Sequence, residues 1–351
     1  MTKINNHIEI VRSTSKALSS MSQESVNAIY KTLSKYYEKV GITTVNNIVD
    51  LNNLVELKPD LVFLGVEFIP TNPELGTSDP DKIWVSDYLD EFNIAFTGSN
   101  QAAHNLQRNK HLAKQRVIDF GLSTSPYYYS IKGNAIDIQN AKLKYPMFVK
   151  PSNRGGGLGI DTKSIVNNFD ELQQKVNYIS DVLNSDSLVE NYLTGREFSV
   201  AILKNIGSDD YMVMPLELIA PEDELGHRIL SGTVKSADAE MAIEVSNLIL
   251  KERICELALN VFHAIGARDY GRIDIRLDEN GIPYFLESNL IPSLIQGYGS
   301  FPKACVINID LNYEQMIVHI ANLGIARQIK YSIAPIDEEI FIVSNEIAEV
   351  I

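Results

Sequence analysis

Cysteine is almost missing from this sequence. Cys255 and Cys305 are the only two among 351 residues, and no Cys-x-x-Cys occurs. A disulfide framework or a thiolate metal site therefore has no material, and a reducing compartment fits. Positive charge is also scarce: 31 Lys and Arg stand against 45 Asp and Glu, for a formal net charge of -14. That balance argues against a nucleic-acid surface, which needs clustered cations. It leaves a nucleotide site open, since a few placed cations and a metal suffice there. The opening MTKINNHIEI lacks the apolar core of a signal peptide, and no charge-free apolar run is long enough to span a bilayer. A soluble cytoplasmic protein with neither nucleic-acid nor membrane partners is the expectation. Internal repeats and low-complexity tracts are absent too, and the six histidines (7, 104, 111, 227, 263 and 319) show no ligand spacing.

What is present is ordinary globular material, 45% hydrophobic and 22% charged, enough for two or three packed units. Short apolar runs alternate with helix-like stretches over the first hundred residues. Strands are expected at Ile8–Val11, Asp60–Val66 and Asn93–Phe96, and helices at Gln23–Val40 and Trp84–Phe92. Such alternation predicts a mostly parallel α/β unit. A helix over Gln101–Phe120, stopped by Gly121, opens a second unit. It continues through a strand at Met147–Lys150 and a helix at Phe169–Leu183. From Ser187 the pattern becomes strand-rich, with helices at Ala239–Ile265 and Tyr313–Leu323. The expected division is 1–99, 100–188 and 189–351. The polar stretch Ala220–Asp238 reads as a lid or a mobile insertion, and the final EEIFIVSNEIAEVI as an added strand or helix turn.

Three segments carry chemistry. In KPSNRGGGLGI a strand delivers Lys150, and Gly155, Gly156, Gly157 and Gly159 let the backbone approach a ligand closely. Backbone N–H groups in such a loop cradle phosphate oxygens. The order is wrong for a P-loop, whose Lys-Ser/Thr follows the glycines, and a plain flexible hairpin would carry the same residues. Next, Tyr270–Arg276 alternates as a strand, Asp278–Gly281 turns, and Pro283–Ser288 returns. The period of two puts Arg272 and Asp274 on one face, and Glu287 and Asn289 on the face opposite them. Two carboxylates and an amide oxygen suit Mg²⁺, which takes a few carboxylates plus nucleotide phosphates; a cross-strand salt bridge on a wet sheet would look similar. Finally, in SLVENYLTGREFSVAIL the backbone of Asn191–Leu193 could meet an adenine edge and Glu197 ribose hydroxyls, though a plain connector fits the same pattern.

Taken in order, YPMFVKPSNRGGGLGI, LVENYLTGREFSVAIL and ARDYGRIDIRLDENGIPYFLESNLIP, preceded by RNKHLAK (108–114), resemble the ATP-grasp superfamily and, within it, the D-alanine–D-alanine ligases. The resemblance covers about residues 95–325 well and the earlier ones in outline. It implies an α/β ATP-grasp fold with an N-terminal parallel α/β domain. It also implies MgATP as cofactor, with two Mg²⁺ ions or Mn²⁺ in their place, and a homodimer. Lys110 and Lys150 would hold phosphates under the loop of Gly156 and Gly157. Glu190, Asn191, Tyr192 and Leu193 would meet adenine, and Glu197 the ribose. Asp274, Glu287 and Asn289 would bind the metal, Arg272 would steady the transferring phosphoryl group, and Lys235 would reach the γ-phosphate from the lid. Ser300 stands at the family's catalytic His-Ser tip, which here reads Gly297-Tyr298-Gly299-Ser300. His227 and, better, Arg228 in the presumed lid are candidates to touch substrate.

The departures lie where substrates are handled. Serines of the family's glycine loop are replaced by Gly156 and Gly157, and its N-terminal glycine-rich segment with a substrate-reading glutamate by VRSTSKALSSMSQES. The Pro-Gly pair after the metal asparagine becomes Pro292-Ser293. The expected function is an ATP-dependent carboxylate–amine ligase acting through an acyl phosphate on small carboxylate and amine substrates, with amino acids other than, or not only, D-alanine. The alternatives are a ligase for a non-amino-acid or carrier- or peptide-bound carboxylate, and an inactive nucleotide binder.

Overall fold

The computed structural model describes residues 3–332, apart from 16, 17, 19, 20, 139, 140 and 238. The closing EEIFIVSNEIAEVI lies outside the described residues.

The N-terminal unit comprises β1 (Ile4–Arg12), α1 (Gln23–Tyr36), β2 (Tyr37–Thr44), α2 (Ile48–Glu56), β3 (Leu61–Leu64), β4 (Phe68–Pro70), β5 (Lys82–Trp84) and α3 (Val85–Glu91). Its main sheet is parallel, in the order β2-β1-β3. Ser22 caps α1, its side chain accepting from the Ser25 N–H, and Asn47 caps α2 in the same way. The helix expected to reach Val40 stops at Tyr36. Tyr37–Thr44, which includes Val40, Ile42, Thr43 and Thr44, pairs with β1 instead, as β-branched side chains favour a pleated surface. Gly41 belongs to that strand, because a Cβ there would lie 2.1 Å from the Glu9 carboxylate. Asn93–Phe96 forms no strand; Phe96 makes a single parallel bridge to Val62.

The central unit holds α4 (Gln101–Arg108), α5 (Lys110–Asp119), β6 (Tyr127–Ser130), β7 (Met147–Pro151), β8 (Ile165–Val166), α6 (Phe169–Asp181) and β9 (Ser187–Asn191). Its sheet is antiparallel, in the order β6-β9-β7-β8, and β9 runs across residue 188. The single helix expected over Gln101–Phe120 is broken at Asn109 (φ -105°, ψ 81°). The break lets the Lys110 N–H donate to Ser152 O at 3.2 Å, so a tertiary bond replaces a helical one.

The C-terminal unit contains β10 (Glu197–Lys204), β11 (Tyr211–Ile219), α7 (Gly232–Ser236), β12 (Met241–Glu244), α8 (Leu248–Ala264), β13 (Tyr270–Leu277), β14 (Pro283–Asn289), α9 (Ser300–Ile309) and α10 (Tyr313–Ser332). Five antiparallel strands run β12-β11-β10-β13-β14. The helix expected from Ala239 begins only at Leu248, capped by Asn247; Met241–Glu244 adds an edge strand to β11. Among the described residues no helix is long and apolar enough to cross a membrane.

One buried core joins the first and last units. Ile8, Ile10 and Phe63 pack in it with Leu203, Leu216, Phe301, Met316 and Ile320. A second core lies between α8 and the β10–β13 pair and takes in Ala113 and Val117 of α5. Burying these side chains is worth about 1.5–3 kcal/mol each before chain entropy is counted. The second core therefore fixes the sheet of the C-terminal unit against α5, the helix that carries Lys110 and Lys114.

Candidate active site

Between the four-stranded and five-stranded sheets lies a cleft of about 660 Å³. Of the side chains singled out from the sequence, Lys150, Glu190, Asn191, Tyr192, Leu193, Glu197, Lys235, Asp274 and Glu287 line it. The β13–β14 hairpin sets one wall. Its register pairs Asp274 with Glu287 and Arg272 with Asn289, the juxtaposition expected from the period of two. A bulge then intervenes, so that Ile275 pairs with Phe285 and Leu286 is the extra residue. The bulge lets Phe285 point into the core at 0% exposure while Glu287 and Leu286 face the cleft.

Asp274 is gripped by Arg272, Nε to Oδ1 at 2.9 Å and Nη2 to Oδ2 at 3.0 Å. Ser199 also donates to its Oδ1 at 3.0 Å. Arg272 Nη1 in turn donates to Ser300 Oγ at 3.0 Å, so Ser300 stands behind Arg272. Lys110 Nζ lies 3.5 Å from Glu287 and donates to Arg154 O at 2.5 Å. Burial alone would raise the Glu287 pKa, but Lys110, Lys235, Lys150 and Arg272 hold it well below the usual carboxylate range. Burial conversely pushes Lys110 down, more than Glu287 restores.

At the inner end Glu190 is buried between two lysines, Lys150 at 2.7 Å and Lys114 in direct contact. Burial works to raise Glu190, and the two ammonium groups outweigh it and keep the carboxylate ionised. Lys114 is fully buried, with its pKa pushed down to about 8 by burial against the pull of Glu190. It also donates to Thr124 Oγ1 at 2.7 Å. Along the next stretch the N–H groups of Asn191 and Tyr192 are taken by Pro126 O and Pro146 O, both at 3.2 Å. The Leu193 N–H makes no hydrogen bond among the described residues and is the backbone donor left at this wall. Glu197 opens β10 and accepts from Arg276 Nη1 at 2.9 Å; burial raises its pKa despite Arg276 and Lys235. Tyr192 lies under the Arg276 guanidinium, 5.3 Å from carbon to ring centroid.

Two loops form the roof. Gly156 and Gly157 have φ of +67° and +76°, a region open to glycine. A Cβ on Gly157 would meet the Gly232 nitrogen at 2.7 Å, so the glycine loop rests directly on the start of α7. Segment 220–237 carries local structure of its own. Glu222 bridges to Arg228, Ser231 caps α7, and Ile229, Leu230 and Lys235 reach the cleft. Tyr298 OH donates to the Lys235 carbonyl, pinning the lid to the Gly297–Ser300 loop. Arg228 does not aim at the cleft: its fork turns back onto Ala220 O (2.5 Å) and Glu222 (2.8 Å). His227 meets the edge of Tyr192, and His111 stacks on Tyr129 at 3.8 Å.

Arg276, Lys114, Ser125, Phe148 and Ile160 belong to the site but were not singled out. Arg276 continues the alternation of Arg272 and Asp274, and that signal was available. Lys114 lies four residues after Lys110 on one helical face, a second readable signal. Phe148 shows no pattern beyond that of a buried strand.

A cleft held between two antiparallel sheets, roofed by a glycine loop and a lid and lined by lysines and paired carboxylates, defines the ATP-grasp class. The family model for the D-ala D-ala ligase C-terminus matches residues 117–322, more than half of the chain. The D-alanine–D-alanine ligase of Hydrogenovibrio crunogenus is 27% identical over 237 residues, covering 67% of this chain and 71% of that one. An uncharacterized protein of Sinorhizobium fredii is 30% identical over 213 residues, 59% of this chain and 60% of its own. The crystal structure of the Bacillus anthracis D-alanine–D-alanine ligase complexed with ATP superposes with a TM-score of 0.71 at 20% identity, covering 93% of this chain and 99% of that one. The chain belongs to the D-alanine–D-alanine ligase family and is an ATP-dependent ligase of the carboxylate–amine type.

Proposed function

We propose that the chain joins a small carboxylate to an amine through an acyl phosphate, releasing ADP and phosphate. A carboxylate oxygen attacks the γ-phosphorus of ATP as the β–γ bridging oxygen leaves with ADP. The amine nitrogen then attacks the acyl carbon, inorganic phosphate departs, and the nitrogen sheds a proton. The observation that carries this reading is the Asp274–Glu287 cross-strand pair, with Lys110 and Arg272 beside it.

Each residue has a physical task. Lys110, Lys150 and Lys235 would neutralise phosphate oxygens, the Leu193 N–H would meet adenine, and Glu197 would accept from ribose. Arg272, braced by Ser300, would meet the charge that spreads over the γ-phosphoryl oxygens, so catalysis is positioning plus electrostatics. The lid and glycine loop would shield the acyl phosphate from water. Among the described residues no three His, Cys, Asp or Glu side chains form a self-sufficient cation site. Mg²⁺ takes one or two carboxylates and completes its shell with phosphate oxygens; Asp274, Glu287 and Asn289 would hold it, and it would supply charge neutralisation.

For substrates we infer amino acids other than, or in addition to, D-alanine, because Gly156 and Gly157 offer no hydroxyl where the family has serines. The test is a hydroxylamine trap. A carboxylate that is activated yields its hydroxamate with MgATP; failure of D-alanine and of every other amino acid to give one would refute an amino acid as the activated substrate.

A further inference from the structure

A second cleft, of about 810 Å³, opens where the N-terminal and central units meet, and it shares no lining residue with the first. Its walls are Lys82 and Trp84 of β5, Asn105 and Arg108 of α4, and Lys132 and Asn184 of the central unit. Two cations converge on one ring: Arg108 lies 4.6 Å and Lys82 Nζ 5.1 Å from the Phe68 centroid. Each unit contributes one of them, and like charges held this way repel. Burial and then Arg108 press the Lys82 pKa down, against the weaker pull of Asp79 and Glu67.

The carboxylates nearby are committed elsewhere. Asp79 accepts from Asn72 N, Asp81 N and Thr71 Oγ1 within its own loop. Both Asp186 oxygens are taken, by Tyr129 OH at 2.6 Å and Lys132 N at 2.8 Å. Glu67 reaches Arg108 at a loose 3.4 Å while accepting from Gln107 at 2.6 Å. Among the described residues Lys82 Nζ has neither a hydrogen bond nor an ion pair. The cleft thus presents an unpaired ammonium, an under-committed guanidinium and amide donors, while the Asp79 and Asp186 carboxylates that also line it are each engaged by donors of their own.

We infer that this interdomain cleft binds a compact oxyanion, the carboxylate or phosphate group of a small molecule, between Lys82 and Arg108. The ligand relieves the repulsion across Phe68 and ties β5 to the central unit. The proposal does not rest on the ligase reading.

Trp84 is the only tryptophan of the sequence and lines this cleft, so its fluorescence reports occupancy directly. The full chain, saturated with MgADP to fill the other cleft, is titrated with inorganic phosphate and, separately, with glutarate. A saturable change is expected with at least one, weakened tenfold or more in Lys82→Met and in Arg108→Gln. Which anion saturates at the lower concentration decides between phosphate and carboxylate. A response matched by sodium chloride at equal ionic strength, no response to either anion, or a Lys82→Met chain that titrates like the parent overturns the site. Lys82→Met loses no hydrogen bond and relieves the repulsion by Arg108, so the variant is expected to melt no lower than the parent and leave that comparison clean.

Discussion

Lys150 Nζ lies 2.7 Å from Glu190 Oε2, so the lysine assigned to ATP phosphates rests on the carboxylate assigned to the adenine end. Lys114 holds the other Glu190 oxygen. The carboxylate would therefore keep a cation if Lys150 turned toward phosphate, and nucleotide binding would leave no bare buried charge.

Removing Lys114 tests this arrangement. Breaking a buried pair from one side costs about 3–5 kcal/mol, so Lys114→Met is expected to lower stability in urea by that order. It should also raise the KM for ATP about tenfold, by analogy with one lost charged hydrogen bond, because Glu190 then depends on Lys150 alone. A destabilised variant with an unchanged KM would show Lys114 to be structural only.

The same cluster sets a pH dependence. The folded pKa of Glu190 is held below the ordinary value of 4.5. Its stabilising contribution is therefore full above about pH 4.5 and is lost as pH falls through the lower folded value. Glu190→Gln should flatten the acid limb of stability against pH, read from urea midpoints between pH 6 and 3. An acid limb of undiminished slope would contradict the assignment.

Asp274→Asn and Glu287→Gln each remove a charge from the wall where the metal and γ-phosphate are assigned. Loss of one such electrostatic group is worth about 10²–10³ in kcat, and an ADP-release assay should show at least that, with the circular dichroism spectrum retained. Near-normal turnover in either variant would dismiss the metal site. Ser300→Ala is expected to cost less, about tenfold in kcat, since Arg272 keeps both contacts to Asp274 and loses a single neutral hydrogen bond.

Lid and glycine loop meet at Gly157 and Gly232. A Gly157→Ala side chain would push them apart, and its positive φ adds about 1 kcal/mol of strain. Limited proteolysis of residues 220–238 should be slowed by MgATP with substrate in the parent and much less in the variant. Equal cleavage with and without ligands in the parent would remove the lid.

How much of this was legible depends on whether a feature is local. The pairing of Asp274 with Glu287 follows from strand period and turn position, both written in the residues themselves. The bulge at Leu286 and the break at Asn109 were not, because each is set by a tertiary demand: Phe285 in the core, and Lys110 N on Ser152 O. β2 was hidden because the helical pattern of α1 runs on into Tyr37, whose burial against α10, with its OH on Asn322, is a distant contact. The roles expected of Lys150 and Glu190 were readable separately; their contact was not, since nothing in the order of residues reveals that β7 and β9 are neighbours.

The most direct measurement of the central claim is ADP and phosphate release with MgATP and amino acids, singly and in pairs, with the product weighed by mass spectrometry. The account predicts release that requires both a carboxylate and an amine, with one amide formed per ADP. ADP release that proceeds equally without either partner, or with no amide formed, would contradict it.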